Sequence, residues 1–579
     1  MADTTLSGIA QALFPQPSIT FSGLGSGIDS QGIITKLVEV ESRHIQRLES
    51  WKSEWTEKIA ALQEVNVKLT DLKNAAAAMD TLAEFQVKTV SSSNTAVLTA
   101  AAAATAASGS HQVLVNQLAQ NEIEVHAGLG APDAVINASG SSQVFAFSYA
   151  GGAAVSINVP DGATLQDLAD AINASGANPG VAAMVLDMGA AFTTDRYRLM
   201  LQGQNTGSYY SIAVDDGLTT LDGAGGTVNF GSAAFTQSQA AQNAQVRLDG
   251  YPPGAWIERA GNQISDLIAG VTLSLHAASA SPVTVSVNYD AAAMQAKIAD
   301  LVAAYNDAVS FIREQTAYNR ITGQAGVLFG NYAVNLVKSE LTAIATGNAP
   351  GFQDPEDAFV NLAQLGITTD VDEASETFGQ LLINETTLAA ALNSNPEAVG
   401  HLLAASFRGV SNDAGGNITY YSSLPGITLP GVYEVAATVS GGVITSGTIN
   451  GHPAAIDGDT LTGLSGYPEY GLAVRVNLAD GSYAGTVRLQ LGVNGQFSRK
   501  LDDLLSASSG PVNILISNYN DIVGSIDAKI EFEQRRVEGV RQRLMEQFAR
   551  LEAVLAQLND QANYLAGQLQ NLNTSTRKS

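Results

Sequence analysis

The chain of 579 residues is 45% apolar and 15% charged, carries a formal net charge of −26 and contains no cysteine. That length spans several domains, its apolar share excludes general disorder, and the missing thiols exclude a disulfide framework, a thiolate zinc site and a cysteine nucleophile. The acidic excess lies between residues 89 and 498, where 34 acidic side chains face 11 basic ones; such a surface repels a phosphate backbone and argues against nucleic acid as a partner.

No run approaches the ~18 apolar residues of a spanning helix, so no membrane insertion is expected. The first basic residue is Lys36, and an opening without a charged block and an apolar block predicts export, if any, without a cleaved signal. Gly23, Gly25 and Gly27 stand before a helix that Asp29 or Ser30 can cap. A dinucleotide fingerprint would need glycine at 28, where Ile28 stands, so these glycines read as a hinge or tight turn. Steps of three and four then pick out Ile45, Leu48, Trp55, Ile59, Leu62 and Leu69, with Lys52, Asn66 and Lys73 interleaved. This is a coiled-coil seam with polar positions that mark its register.

Further on, VSINV (155–159), a helix capped by Thr164 over 165–173, VAAMV (181–185) and YRLML (197–201) predict a small β-α-β-β unit. VTLSL (271–275) and VTVSV (283–287) read as paired strands. An amphipathic helix follows with Ile298, Leu301, Val302, Tyr305, Val309 and Ile312 on one face. Residues 330–405 read as helices with short turns, and 411–497 as a second glycine-rich β stretch. At the far end Val523, Ile530, Val537, Leu544, Leu551, Leu558, Leu565 and Leu572 recur every seven residues, with Ile526, Glu533, Val540, Gln547, Val554, Gln561 and Gln568 as the companion row. A strict seven-residue repeat predicts a supercoil with a partner helix.

Chemistry-bearing patterns are absent. There is no Gly-Lys dipeptide for a phosphate loop and no G-x-S-x-G elbow. The six histidines are scattered singly, without ligand spacing. The run Asp370 to Glu373 lacks the glycine and glutamate of a calcium loop. The expectation is no catalytic residue, no cofactor, no metal and no enzyme.

ITFSGLGSGIDSQGIITKLVEVE (19–41) and HQVLVNQLAQNE (111–122) resemble the N-terminal region of the bacterial flagellar filament-capping proteins, the hook-associated protein 2 family. VSINVPDGATLQDLADAINA and YRLMLQGQNTG are similar to a repeat unit shared by flagellins and hook-associated proteins. NQISDLIAGVTLSL (262–275), LVAAYND (301–307), LGITTD (365–370), FGQLLINETTLAAALNSNPEAV (378–399) and QFARLEAVLAQLNDQANYLAGQL (547–569) resemble the family's C-terminal region. The stretch 411–497 departs from it and reads as an additional domain.

The resemblance implies an α+β multidomain fold with the N- and C-terminal helices paired as a coiled-coil leg and β-rich head domains inserted between them. The boundaries expected are a flexible segment 1–40, a leg helix 41–88, a connection 89–125, head 126–288, a helical return 289–410, the insertion 411–497, C-terminal leg helices 498–560 and a flexible end 561–579. It further implies a homo-oligomeric ring at the distal, extracellular tip of the flagellum, which shelters each flagellin subunit as it folds and inserts. Flagellin, the flagellar export apparatus and a dedicated export chaperone on the C-terminal segment are the implied partners. In that reading Gly23, Gly25 and Gly27 are the hinge between tip and leg, and Asn66 and Gln547 weaken the seam so that the leg can step. Two other readings stay open: an adhesin at the flagellar tip that binds mucin or glycans, and another axial protein at the hook–filament junction. The number of subunits is not encoded in any local pattern.

Overall fold

The computed structural model describes residues 29–319, 323–404, 407–413 and 415–575. Helix α1 (Ser30–Ala77) opens where the Asp29 carboxylate accepts the Gly32 N–H at 2.8 Å, satisfying a backbone donor left over at the first turn. Its C-terminal half packs into a helical core with α4 (Ala291–Thr316), α5 (Tyr332–Thr346), α6 (Glu385–Ser394), α7 (Pro396–Leu403) and α8 (Val493–Leu505). Leu62, Leu69, Tyr305, Leu341 and Phe497 are among its fully buried side chains. After α1 comes the short α2 (Leu82–Phe85), held by a reciprocal Thr81–Glu84 capping box, whose Phe85 joins the same core. The long α9 (Pro511–Ser575) completes the helical part.

Two β units follow α2. The first is a sandwich of a five-stranded sheet (88–92, 283–289, 109–117, 244–248, 257–259) on a three-stranded one (263–268, 271–275, 98–102). Val113, Val115, Val283, Val285 and Val287 alternate inward, the period-two pattern of a half-buried strand. Inserted between its strands 109–117 and 244–248 is an outer unit built on a four-stranded sheet (235–239, 123–126, 197–203, 181–187) and a three-stranded one (155–159, 143–149, 212–214). Helix α3 (Leu165–Ala174), capped by Thr164 and Asp167, packs against its core.

A third β unit spans Arg408–Gln490, eight strands in the order 408–411, 481–490, 431–440, 443–449, 452–457, 460–463, 473–476, 418–422. The two outermost strands meet, the Tyr420 N–H donating to Ser411 Oγ at 2.6 Å, so the sheet curls into a barrel around Tyr433, Val435, Val439 and Leu461. The insertion thus opens at Arg408 and ends at Gln490, and α8 begins inside the stretch expected to be β. The expected head, 126–288, is divided into two units, and the expected connection, 89–125, supplies strands to both. Its Ala-, Ser- and Thr-rich text hides alternation, and its partners lie more than 100 residues away (Val90 against Val287, for example), where no local pattern reaches. Helix α1 starts within the segment expected to be flexible, and α9 continues through 561–575.

The barrel is welded to the helical core. Buried Arg488 pairs with Asp357 from the loop after α5; Gln490 Nε2 donates to Asp357 Oδ1 at 2.9 Å, and Arg408 Nη1 to Gln490 Oε1 at 3.0 Å. Gly351 runs so close that a Cβ would lie 2.3 Å from the Leu489 carbonyl oxygen, and its φ of +79° suits glycine alone. Because loss of one partner strands a buried charge, Asp357→Ala should cost about 3–5 kcal/mol, and the double change Asp357→Leu/Arg488→Met should recover most of it. Hydrogen exchange of the strand Gly481–Gln490 in the full chain measures both.

Candidate functional site

Without a metal-ligating cluster among the described residues or any helix there long and apolar enough to cross a membrane, the candidate site is a surface: the antiparallel pair of α1 and α9. Four contacts pin its register. Ser30 Oγ donates to Glu552 Oε1 at 2.5 Å, Arg536 Nη1 to Glu41 Oε2 at 2.9 Å, and Asn66 Nδ2 to Asn513 Oδ1 at 2.7 Å. Lys52 Nζ lies 2.6 Å from Asp527. Between them Leu48, Ile526 and Ile530 are buried together, flanked by Ile45, Trp55 and Ile522, and Trp55 meets Tyr519 edge-on at 4.8 Å.

The seam residues of α1 all face inward. Leu48, Ile59, Leu62 and Leu69 are buried, and Ile45 and Trp55 half-buried. The interleaved polar positions each find a partner on the C-terminal helices: Lys52 takes Asp527, Asn66 takes Asn513, and Lys73 reaches Asp502 on α8 at 2.5 Å. Partly exposed ion pairs contribute only ~0–1 kcal/mol each, so these contacts align the helices more than they hold them. Val65, Leu72 and Ala76, also fully buried, escape the heptad reading. Positions 62, 65, 69, 72 and 76 add a second apolar row to a helix packed on two sides, which was the available signal.

On α9 the expected seam holds through Ile530, Val537 and half-buried Leu544, then changes. Leu551, Leu558 and Leu565 are 45%, 53% and 61% exposed, and Gln547 is exposed as well. The less exposed track passes instead through Phe548, Glu552 and Leu555. An undistorted helix drifts ~20° per heptad against a strict 3.5 repeat, and two steps of four residues beyond Leu544 move the contact line off the leucines. Val554, Leu558, Leu565 and Leu569 are exposed on the part of α9 beyond Glu552, which stands opposite Ser30 where the described part of α1 begins. Ile33, Leu37 and Val40 are likewise exposed on α1. The proposed hinge residues Gly23, Gly25 and Gly27 lie outside the described residues.

Comparison with known proteins finds three family matches. A model described as flagellar hook-associated protein 2 C-terminus covers residues 241–560, one described as flagellar hook-associated protein 2 N-terminus covers 26–122, and one described as flagellin hook IN motif covers 144–205. The B-type flagellar hook-associated protein 2 of Pseudomonas aeruginosa is 28% identical over 431 residues, which are 70% of this chain and 84% of that protein. The flagellar hook-associated protein 2 of Escherichia coli is 26% identical over 437 residues, 73% of this chain and 88% of that one. A crystal structure of the flagellar cap protein from Escherichia coli aligns with a TM-score of 0.45 at 26% identity, over 59% of this chain and 89% of that chain.

Leu48→Ala, which empties a buried seam position, should cost about 2–5 kcal/mol, whereas Leu551→Ala should change stability by less than about 0.5 kcal/mol. Amide exchange along residues 41–60 of the isolated protein distinguishes the two.

Proposed function

The chain belongs to the flagellar hook-associated protein 2 family and is a flagellar filament cap, and from that premise we propose how its parts divide the work. The cap is an oligomer at the filament tip. We assign the α1–α9 pair to the leg that reaches from the head toward flagellin, and the β units to the plate of a ring. The observation that carries this reading is the exposure of Leu551 on α9 and of Ile33, Leu37 and Val40 on α1, apolar side chains on the outside of a helix pair whose inner side is already occupied. Exposed apolar rows of this kind mark a surface that another protein covers.

Away from the head the leg holds together by the small cluster of Leu48, Ile526 and Ile530, by buried Val537 and by partly exposed polar contacts. Its root, by contrast, sits in the large helical core. A leg fastened firmly at its root and weakly toward its far end can open, shift along the growing filament and re-engage, with Lys52 and its partner Asp527 restoring register each time. Polar groups at seam positions cost stability while fixing alignment. The same stripe suits a dedicated export chaperone, which would cover it until the chain leaves through the export apparatus without a cleaved signal. The work is done by complementary surfaces, not by catalysis. We place the inserted barrel, fixed by Arg488 and Asp357, in the rigid frame of the head.

In cells lacking their own cap, the variant Leu551→Asp/Leu558→Asp should abolish swimming and release unpolymerised flagellin into the medium, while the purified variant melts as the parent does. Normal filaments on cells that carry it would overturn the assignment of the leg.

A further inference from the structure

The row of α1 that meets α9 is not its only apolar row. A second lies beside it, also at alternating steps of three and four, and near the root it consists of Ala61, Val65, Lys68 and Leu72. There α4 covers it. Lys297 on α4 donates to the carbonyls of Ala78 and Glu84 at 3.3 and 2.7 Å, and Lys68 lies 3.7 Å from Asp307, so α4 runs antiparallel to α1, and Val65 and Leu72 are fully buried in the core the two helices share. Nine residues beyond Asp307 α4 ends at Thr316, level with Ile59. The row does not end there: steps of seven carry it from Val65 and Ala61 to Trp51, Val40, Leu37 and Ile33, all four exposed. Between α1 and α9 this leaves an open groove that continues the place α4 fills at the root.

The floor of the groove is apolar and its rim is basic. On the α9 side Lys529 Nζ lies 5.9 Å from the centre of the Trp51 ring, and seven and fourteen residues further on stand Arg536 and Arg543. On α1, Lys36 and Arg43 neighbour Val40 at four residues before and three after, and Arg47 stands in the row itself. Arg536 is engaged by Glu41 and Glu533. Among the described residues Lys36, Arg43, Arg47, Lys529 and Arg543 form no ion pair with a carboxylate. The acids Glu54 and Glu57 enter only past Trp51, toward the root. In a chain of net charge −26 such a basic strip is a local exception, and it borders an uncovered apolar row.

We infer that this groove takes a third helix, laid end to end with α4 and antiparallel to α1, with an apolar row that fits Trp51, Val40, Leu37 and Ile33 and with acidic edges. The root shows the pattern: there α4 sets Leu301, Val302 and Tyr305 into the shared core and answers Lys68 with Asp307. From Ile33 to Trp51 the groove is about 27 Å long, roughly five turns of helix, enough for anchors at the three- and four-residue steps by which an amphipathic helix is read. Basic rims select an acid-edged helix over a basic one, because like charges set side by side oppose docking. The inference deepens the leg reading, on which the identity of this partner as a helix of flagellin rests; the fit of an acid-edged helix does not depend on it.

Two synthetic peptides of about 21 residues test it, both with leucine at alternating steps of three and four, one edged with glutamate and the other with lysine. The glutamate-edged peptide should bind the full chain about tenfold more tightly than its twin, and Arg43→Glu/Arg47→Glu should remove that preference. Its binding should shift tryptophan emission to the blue, a change missing from Trp51→Phe, and Val40→Asp should abolish it. The chain lacks cysteine, so labels on Ser50→Cys and Gln31→Cys read the orientation: the peptide's first residue should lie nearer Ser50. Flagellin monomer should compete with the peptide; a peptide that docks as described without such competition would leave the groove standing and remove flagellin as its occupant. Equal binding of the two peptides, binding untouched by Val40→Asp, or the reverse orientation would overturn the proposal. So would self-association of the chain that Val40→Asp abolishes, or peptide binding that requires removal of residues 1–25, since a second copy or the chain itself would then fill the groove.

Discussion

Everything in this molecule depends on the antiparallel meeting of its first described helix with its last. Once Ser30 stands beside Glu552 and Asn66 beside Asn513, every intervening element is an excursion from a helical stem and must return to it. The sandwich leaves after α2 and comes back at α4, the outer unit leaves and rejoins the sandwich, and the barrel leaves after α7 and comes back at α8. Because the chain crosses each junction twice, each unit is held by two strands of backbone, which constrains its orientation more than a single linker would.

The stem itself is graded. Near its root α1 is buried on two faces, by α4 and by the C-terminal helices, and its interior is aliphatic with Tyr305 and Phe497. Farther from the root only α9 remains, and the shared interior shrinks to Leu48, Ile526 and Ile530 with half-buried neighbours. Stability scales with apolar area removed from water, so the far end of the stem opens at lower cost than the root. A cap that must keep its place while the filament beneath it lengthens needs that gradient: a fixed frame at the head and a yielding contact surface toward the filament.

The junctions differ in chemistry. The barrel meets the helical core through the buried Arg488–Asp357 pair and a glycine whose backbone touches the next strand, contacts that lock one orientation. The outer unit meets the sandwich through the backbone bonds of Gln120 and Gln242 and the side-chain amide of Gln239.

The helical ends were legible because an apolar row at steps of three and four is a local signal: Leu48, Leu62 and Leu69 needed no knowledge of the partner to be placed inward. So were the Thr164 cap and the strand alternation around Val155 and Leu199, since each arises from neighbouring residues. The repeat also announced a partner for α9. What the tertiary structure decided is which side of α9 the partner covers beyond Leu544. A strict sevenfold row and a straight 3.6-residue helix diverge turn by turn, and only the position of α1 selects Phe548 and Glu552 over Leu551. The same holds for Arg488, an ordinary charged letter in the sequence, whose burial and pairing with Asp357 are made by residues far away in the chain.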